Sequence, residues 1–376
     1  MTALPLVYDF TWEALAKRLE AAGQPAYRTA QVWRSVYRRL LDTPASMTDL
    51  PSPLRALLGD NLSFSSMSVK ASARSKDGGT EKLLLGMADG VAIEAVLMRY
   101  ERRRTACIST QAGCAMGCVF CATGQMGFER NLSEEEIVAQ VVHIARLLRA
   151  RGEHVTNVVF MGMGEPLANY AETVRALRLL THPRAFGLGQ RHITVSTVGL
   201  VHAIDRLAGE GLQVGLAISL HAPNDALRQR LVPTAGPHSV GDLVSAAKRY
   251  FRTTGRRVTF EYALIAGEND SPEAAAELAA LLRGSGVHVN LIPVNPTAGE
   301  FRRPSRQRVL AFERILRDGG VNCTVRVEKG SEISAACGQL RTDQRQSEGD
   351  EANRRPAGPV HGRRQSTPSP APSRPL

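Results

Sequence analysis

No apolar run in the sequence approaches the roughly 20 residues that cross a bilayer. The first residues carry acidic Asp9 and Glu13 in place of a basic signal-peptide start. These absences argue against a membrane-spanning or secreted protein, and a soluble cytoplasmic one is expected. Aromatic residues make up only 5%, too few to advertise a broad stacking platform for single-stranded nucleic acid. Acidic residues are in deficit: 36 Asp and Glu stand against 47 Lys and Arg, a net charge of +11. That surplus fits a polyanionic partner, most often nucleic acid, and equally a solvated basic surface. Cysteine is scarce, six residues in 376, yet four of them (Cys107, Cys114, Cys118, Cys121) fall within fifteen positions. Clustered thiols of this kind point to metal or redox chemistry rather than structural disulfides. Cys323 and Cys337 lie far downstream, and Cys323 is assigned to the core.

The hydrophobic share of 43% suffices for one large core with appendages, or for two ordinary domains. Residues 1–68 form a small helical module. Trp12, Leu15 and Leu19 recur at helical spacing, and a second helix from Tyr27 to Leu41 buries Val32, Trp33, Val36 and Leu40. Arg28, Arg34, Arg38 and Arg39 occupy its other faces, either solvated or in contact with phosphates. Over 69–104 the pattern changes to short strands with turns at Asp77-Gly78 and Asp89-Gly90, an antiparallel extension. Six strand-like runs come next: Thr105–Thr110, Val155–Met161, His192–Ser196, Val214–Leu220, Val258–Leu264 and Val287–Ile292. Helical stretches separate most of them, the first opened by a capping box at Ser133 and Glu136. Alternation of this kind predicts an α/β fold with a parallel sheet, either doubly wound or a partial β/α barrel. Cys323–Val327 would add an edge strand. The last part, 341–376, is rich in Pro, Ser, Arg and Gln without apolar periodicity and is expected to be disordered. It holds seven arginines and four acidic residues, so most of the positive charge belongs to the body.

Cys114-Ala-Met-Gly-Cys118-Val-Phe-Cys121 is a C-x3-C-x2-C motif directly after the first core strand. Three thiolates on one loop hold three irons of a cubane and leave the fourth iron open. Structural zinc normally needs four protein ligands, and a Cys107 within the strand makes an awkward fourth. Polar residues and glycines stand after the other strands in the same way. Gly162-Met163-Gly164-Glu165-Pro166 comes after the second strand and Ser196 ends the third; Ser219-Leu220-His221 ends the fourth, and Asn295 comes after the sixth. Singly these are caps, turns or a core histidine; on one rim beside a cysteine loop they describe a ligand site.

The spacing of the cysteine motif is the signature of the radical S-adenosylmethionine (SAM) superfamily. From about Tyr27 to Leu340 the chain resembles, more specifically, the bacterial RlmN family of dual-specificity adenine-C2 RNA methyltransferases. The resemblance is carried by Thr80–Leu85, Ile93-Glu94, Cys107–Leu132, Phe160–Asn169, Ser219–Asp225, Asn290–Pro296 and Ala335-Ala336-Cys337-Gly338-Gln339-Leu340. Glu332 stands where the family has aspartate. The resemblance implies a partial (β/α)6 radical SAM barrel over 105–340. Cys114, Cys118 and Cys121 would bind a [4Fe-4S] cluster, and Gly164, Glu165, Ser196, Ser219, Leu220, His221 and Asn295 would bind SAM. It further implies that Cys337 is methylated on sulfur by one SAM, and that a second SAM, cleaved at the reduced cluster, turns that methyl group into a carbon radical that adds to adenine. Glu94 would accept the ring proton, and Cys107 would release the product by forming a disulfide with Cys337. The implied partners are 23S rRNA, tRNA and an electron donor such as flavodoxin or ferredoxin, with the protein a monomer. Two other readings share the motifs: a Cfr-like enzyme methylating C8 of the same adenosine, and a zinc-stabilised, non-catalytic RNA-binding protein.

Overall fold

The structure is a computed structural model and describes residues 4–64, 67–234, 238–295, 301–326 and 329–342. Three helices come first: α1 (Trp12–Ala21), α2 (Tyr27–Tyr37) and α3 (Ser52–Asn61). Thr11 caps α1, its hydroxyl accepting the Ala14 N–H. The apolar residues at helical spacing are the buried ones, Leu15 and Leu19 in α1 and Val32, Trp33 and Val36 in α2. Helix α2 ends before the expected Leu41, because the chain turns at Leu40 (φ 55°) and the Leu41 N–H donates back to Ser35 O at 2.9 Å. Its arginines take partners within the chain. Arg34 and Arg39 share Asp49 at 3.3 and 2.7 Å. Arg38 donates to Pro183 O, and Arg28 donates to Gln31 while lying over the Tyr27 ring.

Strands β1 (Met67–Arg74), β2 (Thr80–Met87) and β3 (Ala92–Arg99) form the expected antiparallel meander. Strand β3 pairs antiparallel with β4 (Arg104–Cys107), so the meander is continuous with the core sheet. After β4 the chain leaves the sheet for a hairpin, β5 (Gln111–Gly113) with β6 (Phe128–Asn131), whose loop holds the one-turn helix α4 (Ala122–Gln125). Then come α5 (Glu134–Arg149), β7 (Asn157–Phe160), α6 (Tyr170–Thr181), β8 (Ile193–Thr197), α7 (Val201–Gly209) and β9 (Gly215–Ser219). The unit closes with α8 (Asp225–Leu231), α9 (Val240–Thr254), β10 (Val258–Leu264), α10 (Pro272–Leu282), β11 (His288–Pro293), α11 (Arg306–Asp318) and β12 (Asn322–Val325). The Ser133–Glu136 capping box is formed reciprocally at the start of α5.

One sheet of ten strands runs β1-β2-β3-β4-β7-β8-β9-β10-β11-β12. Every pairing from β4 to β12 is parallel, and spatial order matches chain order. A doubly wound sheet reverses its strand order at a switch point. This one has no reversal, which decides for the partial barrel over the doubly wound alternative. Strand β12 is the expected edge strand, although Val327 falls outside the described residues, as does the supposed disordered tail from 343 onward. Tyr250, Phe160, Phe260, Tyr262 and Phe312 are fully buried between sheet and helices. Each such side chain contributes on the order of 1.5–3 kcal/mol by leaving water. That packing holds the C-terminal ends of the parallel strands at one rim. No helix among the described residues is long and apolar enough to cross a membrane.

Candidate active site

The cysteine loop is the long turn of the β5–β6 hairpin. Its neck is closed by the Cys114 N–H donating to Gly127 O at 2.7 Å. Gly113, at φ 70°, lies so close to Gly127 that a Cβ there would overlap the Gly127 carbonyl. The loop rests on α8, Val119 N–H donating to Leu231 O at 3.1 Å, and on a small apolar cluster of Val198, Leu231, Val232, Ile265 and Val294. Cys114, Cys118 and Cys121 face one cavity of about 170 Å³. Burial raises all three thiols, Cys114 to about 11. A metal or another positive charge must therefore favour the thiolates before they serve as ligands.

The strand ends supply the opposite wall. Gly164, Glu165, Ser196, Ser219, His221 and Asn295 all line this cavity. Gly164 (φ 96°) comes so soon after β7 that a Cβ would stand 2.5 Å from the Gln111 Cβ. Glu165 is held rigidly: Oε1 accepts the Leu167 N–H at 2.9 Å and Oε2 the Val198 N–H at 2.7 Å. Burial outweighs those bonds and pushes its pKa up to about 7. His221 (φ 60°) is buried and its pKa falls to about 3, so it is neutral, and its Nδ1 accepts the Ala263 N–H at 2.9 Å. The ring therefore carries its proton on Nε2 and stands edge-on to Phe120. Asn269 fixes the same corner by donating to His221 O at 2.8 Å and Ala263 O at 2.6 Å.

The C-terminal segment crosses the cavity mouth. Ala122 N–H donates to Gly338 O at 2.7 Å, Thr123 Oγ1 to Leu340 O at 2.7 Å, and Asn295 Nδ2 to Cys337 O at 3.2 Å. Cys337 faces both the main cavity and a second one of about 40 Å³ that Cys107 lines from the end of β4. Two cysteines far apart in the chain thus share one small space. Burial, then the neighbouring Cys337, pushes the Cys107 thiol up to about 12.

The chain as a whole is similar to known proteins. A model of the radical SAM superfamily matches residues 108–279. A ribosomal RNA large subunit methyltransferase N from Nitrosopumilus maritimus is 58% identical over 346 residues, covering 90% of this chain and 98% of that protein. A probable dual-specificity RNA methyltransferase RlmN from Roseiflexus castenholzii is 46% identical over 382 residues, covering 90% and 96%. The crystal structure of a radical SAM methyltransferase from Sphaerobacter thermophilus superposes with a TM-score of 0.87 at 51% identity, covering 90% of this chain and all of that one. This chain belongs to the RlmN family of radical SAM methyltransferases.

Within this RlmN-family fold, two expected site residues stand apart from the cavities. Leu220 is fully buried behind the wall, its N–H donating to Glu261 O at 3.0 Å. Glu94 lines neither cavity. Its Oε1 pairs with Lys82 at 2.8 Å and its Oε2 accepts the Arg341 N–H at 2.8 Å, so the carboxylate clasps the C-terminal segment to the meander. Nor are Cys107 and Cys337 joined as a disulfide, since all six cysteines are free thiols.

The residues fit the cofactors the family uses. Three cysteines of one loop line one cavity, whereas structural zinc takes four protein ligands. A cubane spreads its thiolates over three irons. Asn295 Oδ1 and Glu261 Oε2 are buried acceptors without a partner on the cavity wall, suited to the amine and hydroxyl donors of SAM. Glu261 and Arg326 were missed in the sequence. Glu261 alternates with Ala263 toward the barrel interior on β10, and Arg326 comes after β12 just as the other rim residues come after their strands.

Proposed function

We propose that this protein makes 2-methyladenosine in 23S rRNA, and in tRNA, as a cytoplasmic monomer supplied with electrons by a flavodoxin or ferredoxin. The observation that carries the reading is the position of Cys337, between the cysteine loop and Cys107. Adenine C2 is electrophilic and has no lone pair, so direct transfer of a methyl cation does not reach it. Bound at Cys114, Cys118 and Cys121, a [4Fe-4S] cluster with SAM supplies the radical that activates a methyl carbon. The chain's own groups do the rest. Glu165, Ser196, Ser219, His221 and Asn295 hold SAM, with Gly164 giving the backbone close approach. Glu165 takes the amino group, and Leu220 acts only through the wall it backs. The Cys337 sulfur carries the methyl group and delivers its carbon to C2, leaving protein and RNA joined through a sulfur–carbon bond.

Release then needs three events, the first being loss of the unpaired electron that radical addition leaves on the ring, which would return to the cluster. The C2 proton leaves to a base, and Glu94 takes that part once the Arg341 N–H of the C-terminal segment releases its carboxylate. The Cys107 thiolate attacks the Cys337 sulfur; a disulfide forms, the sulfur–carbon bond breaks, and its electron pair goes to the carbon, which is protonated to methyl. The segment 1–68 serves as the RNA-binding module, 69–104 as the β extension and 105–340 as the catalytic barrel. Mass analysis of nucleosides from rRNA and tRNA, with and without this protein, tests the proposal against both isomeric standards. The 2-methyl isomer is expected. The 8-methyl isomer would move the protein to the Cfr-like reading.

A further inference from the structure

Arg228 on α8 is only 3% exposed and forms no ion pair with any described residue. One guanidinium nitrogen donates to Val198 O and, at 3.3 Å, to Ser219 O, while its Nε is buried with no partner. Burying a charge on two neutral carbonyls costs more than those bonds return. A fold that keeps such a charge needs an anion nearby. Asp225 lies on the same helix but forms no ion pair with it. The cysteine loop does lie against this helix: Val119 N–H bonds to Leu231 O, and Cys118 packs, as Leu227 does, on the apolar cluster that includes Leu231 and Val198. Val198, whose carbonyl Arg228 holds, belongs to that same cluster.

We propose that Arg228 is the buried countercharge of the iron–sulfur cluster, stabilising the cluster-loaded loop and raising the cluster's reduction potential. The inference rests on the cluster reading above. Three thiolates around an oxidised cubane leave a net negative charge, and the electron that reduces it adds another. A fixed cation on the helix that carries the cysteine loop, in a medium of low dielectric, favours both states over the apoprotein and the reduced state most. Through Val198 and Ser219 the same residue braces the ends of β8 and β9. Arg228 is thus a positioning residue that touches neither SAM nor RNA.

The test compares full-length wild type, Arg228→Lys and Arg228→Gln, each reconstituted anaerobically with iron and sulfide. Melting of apo and loaded forms gives the stabilisation due to the cluster, and titration monitored by electron paramagnetic resonance gives the midpoint potential. Arg228→Gln should lose most of the gap between loaded and apo Tm and shift the midpoint to more negative potential, while Arg228→Lys keeps most of both. Iron uptake by the Lys variant but not the Gln variant supports the proposal equally. An Arg228→Gln protein with an unchanged midpoint, its apo and loaded Tm lowered alike, would make Arg228 only a brace and overturn it. So would failure of both variants to load iron, which would show a need for the guanidinium shape rather than its charge. Wild type that takes up no iron would instead sink the cluster reading itself.

Discussion

In the N-terminal helices the charges are settled within the chain: Arg34 and Arg39 share Asp49, and Arg38 reaches Pro183 O. Along the rim of the sheet, Asn295 Oδ1 and Glu261 Oε2 are buried without partners, as Trp33 Nε1 and Ser35 Oγ are in the helices, but here the residues line a cavity beside the cysteine loop. Exposed pairs cost little to form or break, whereas each buried orphan forgoes a hydrogen bond that water would have supplied. The difference teaches where ligands belong. A row of arginines paired at the surface can still trade Asp49 for a phosphate. A rim with unpaired polar atoms is arranged for something that arrives later.

Variants should break this contrast in order of size. Cys114→Ala removes one of the three thiolates proposed to hold the cluster, so iron content and methyl transfer should fall to background; a brown, iron-loaded variant would show that the loop is not the cluster site. Glu165→Gln keeps the shape but loses the charge facing SAM's amino group. A charge-assisted hydrogen bond is worth about 1.5–3 kcal/mol, so SAM should bind roughly tenfold or more weaker by calorimetry, where tenfold is ~1.4 kcal/mol. At the paired end, Arg34→Ala with Arg39→Ala should lower stability by no more than about 1 kcal/mol per pair. The slope of RNA affinity against salt sharpens the comparison. A slope reduced by nearly two would mean these arginines leave Asp49 for phosphates, and an unchanged slope would leave them as internal pairs.

Much of the rim was legible because a β/α barrel gathers the residues just past each strand at one end, and those past β7, β8, β9 and β11 were polar or glycine. Strand–helix alternation alone left the sheet's order open, since pairing of β4 with β7 and of β11 with β12 is a long-range fact. The resemblance implied a proton acceptor at Glu94, but nothing local foretold its partners, Lys82 across the meander and Arg341 at the far end of the fold. Arg228 was hidden for a different reason. An arginine in a helix is usually solvated, and its burial shows only when the ends of β8 and β9 close over it. The meeting of Cys107 and Cys337 was equally remote in sequence, and the resemblance to the RlmN family, not any local spacing, anticipated it.

The most direct measurement of the account is the fate of RNA on Cys107→Ala. This variant should still form the bond between Cys337 and adenine but have no thiolate to break it. Protein carrying covalently attached RNA, sensitive to nuclease and absent when Cys337→Ala is added, is the result expected. Normal turnover by Cys107→Ala with no trapped RNA would contradict the two-thiol mechanism and return Cys107 to the core.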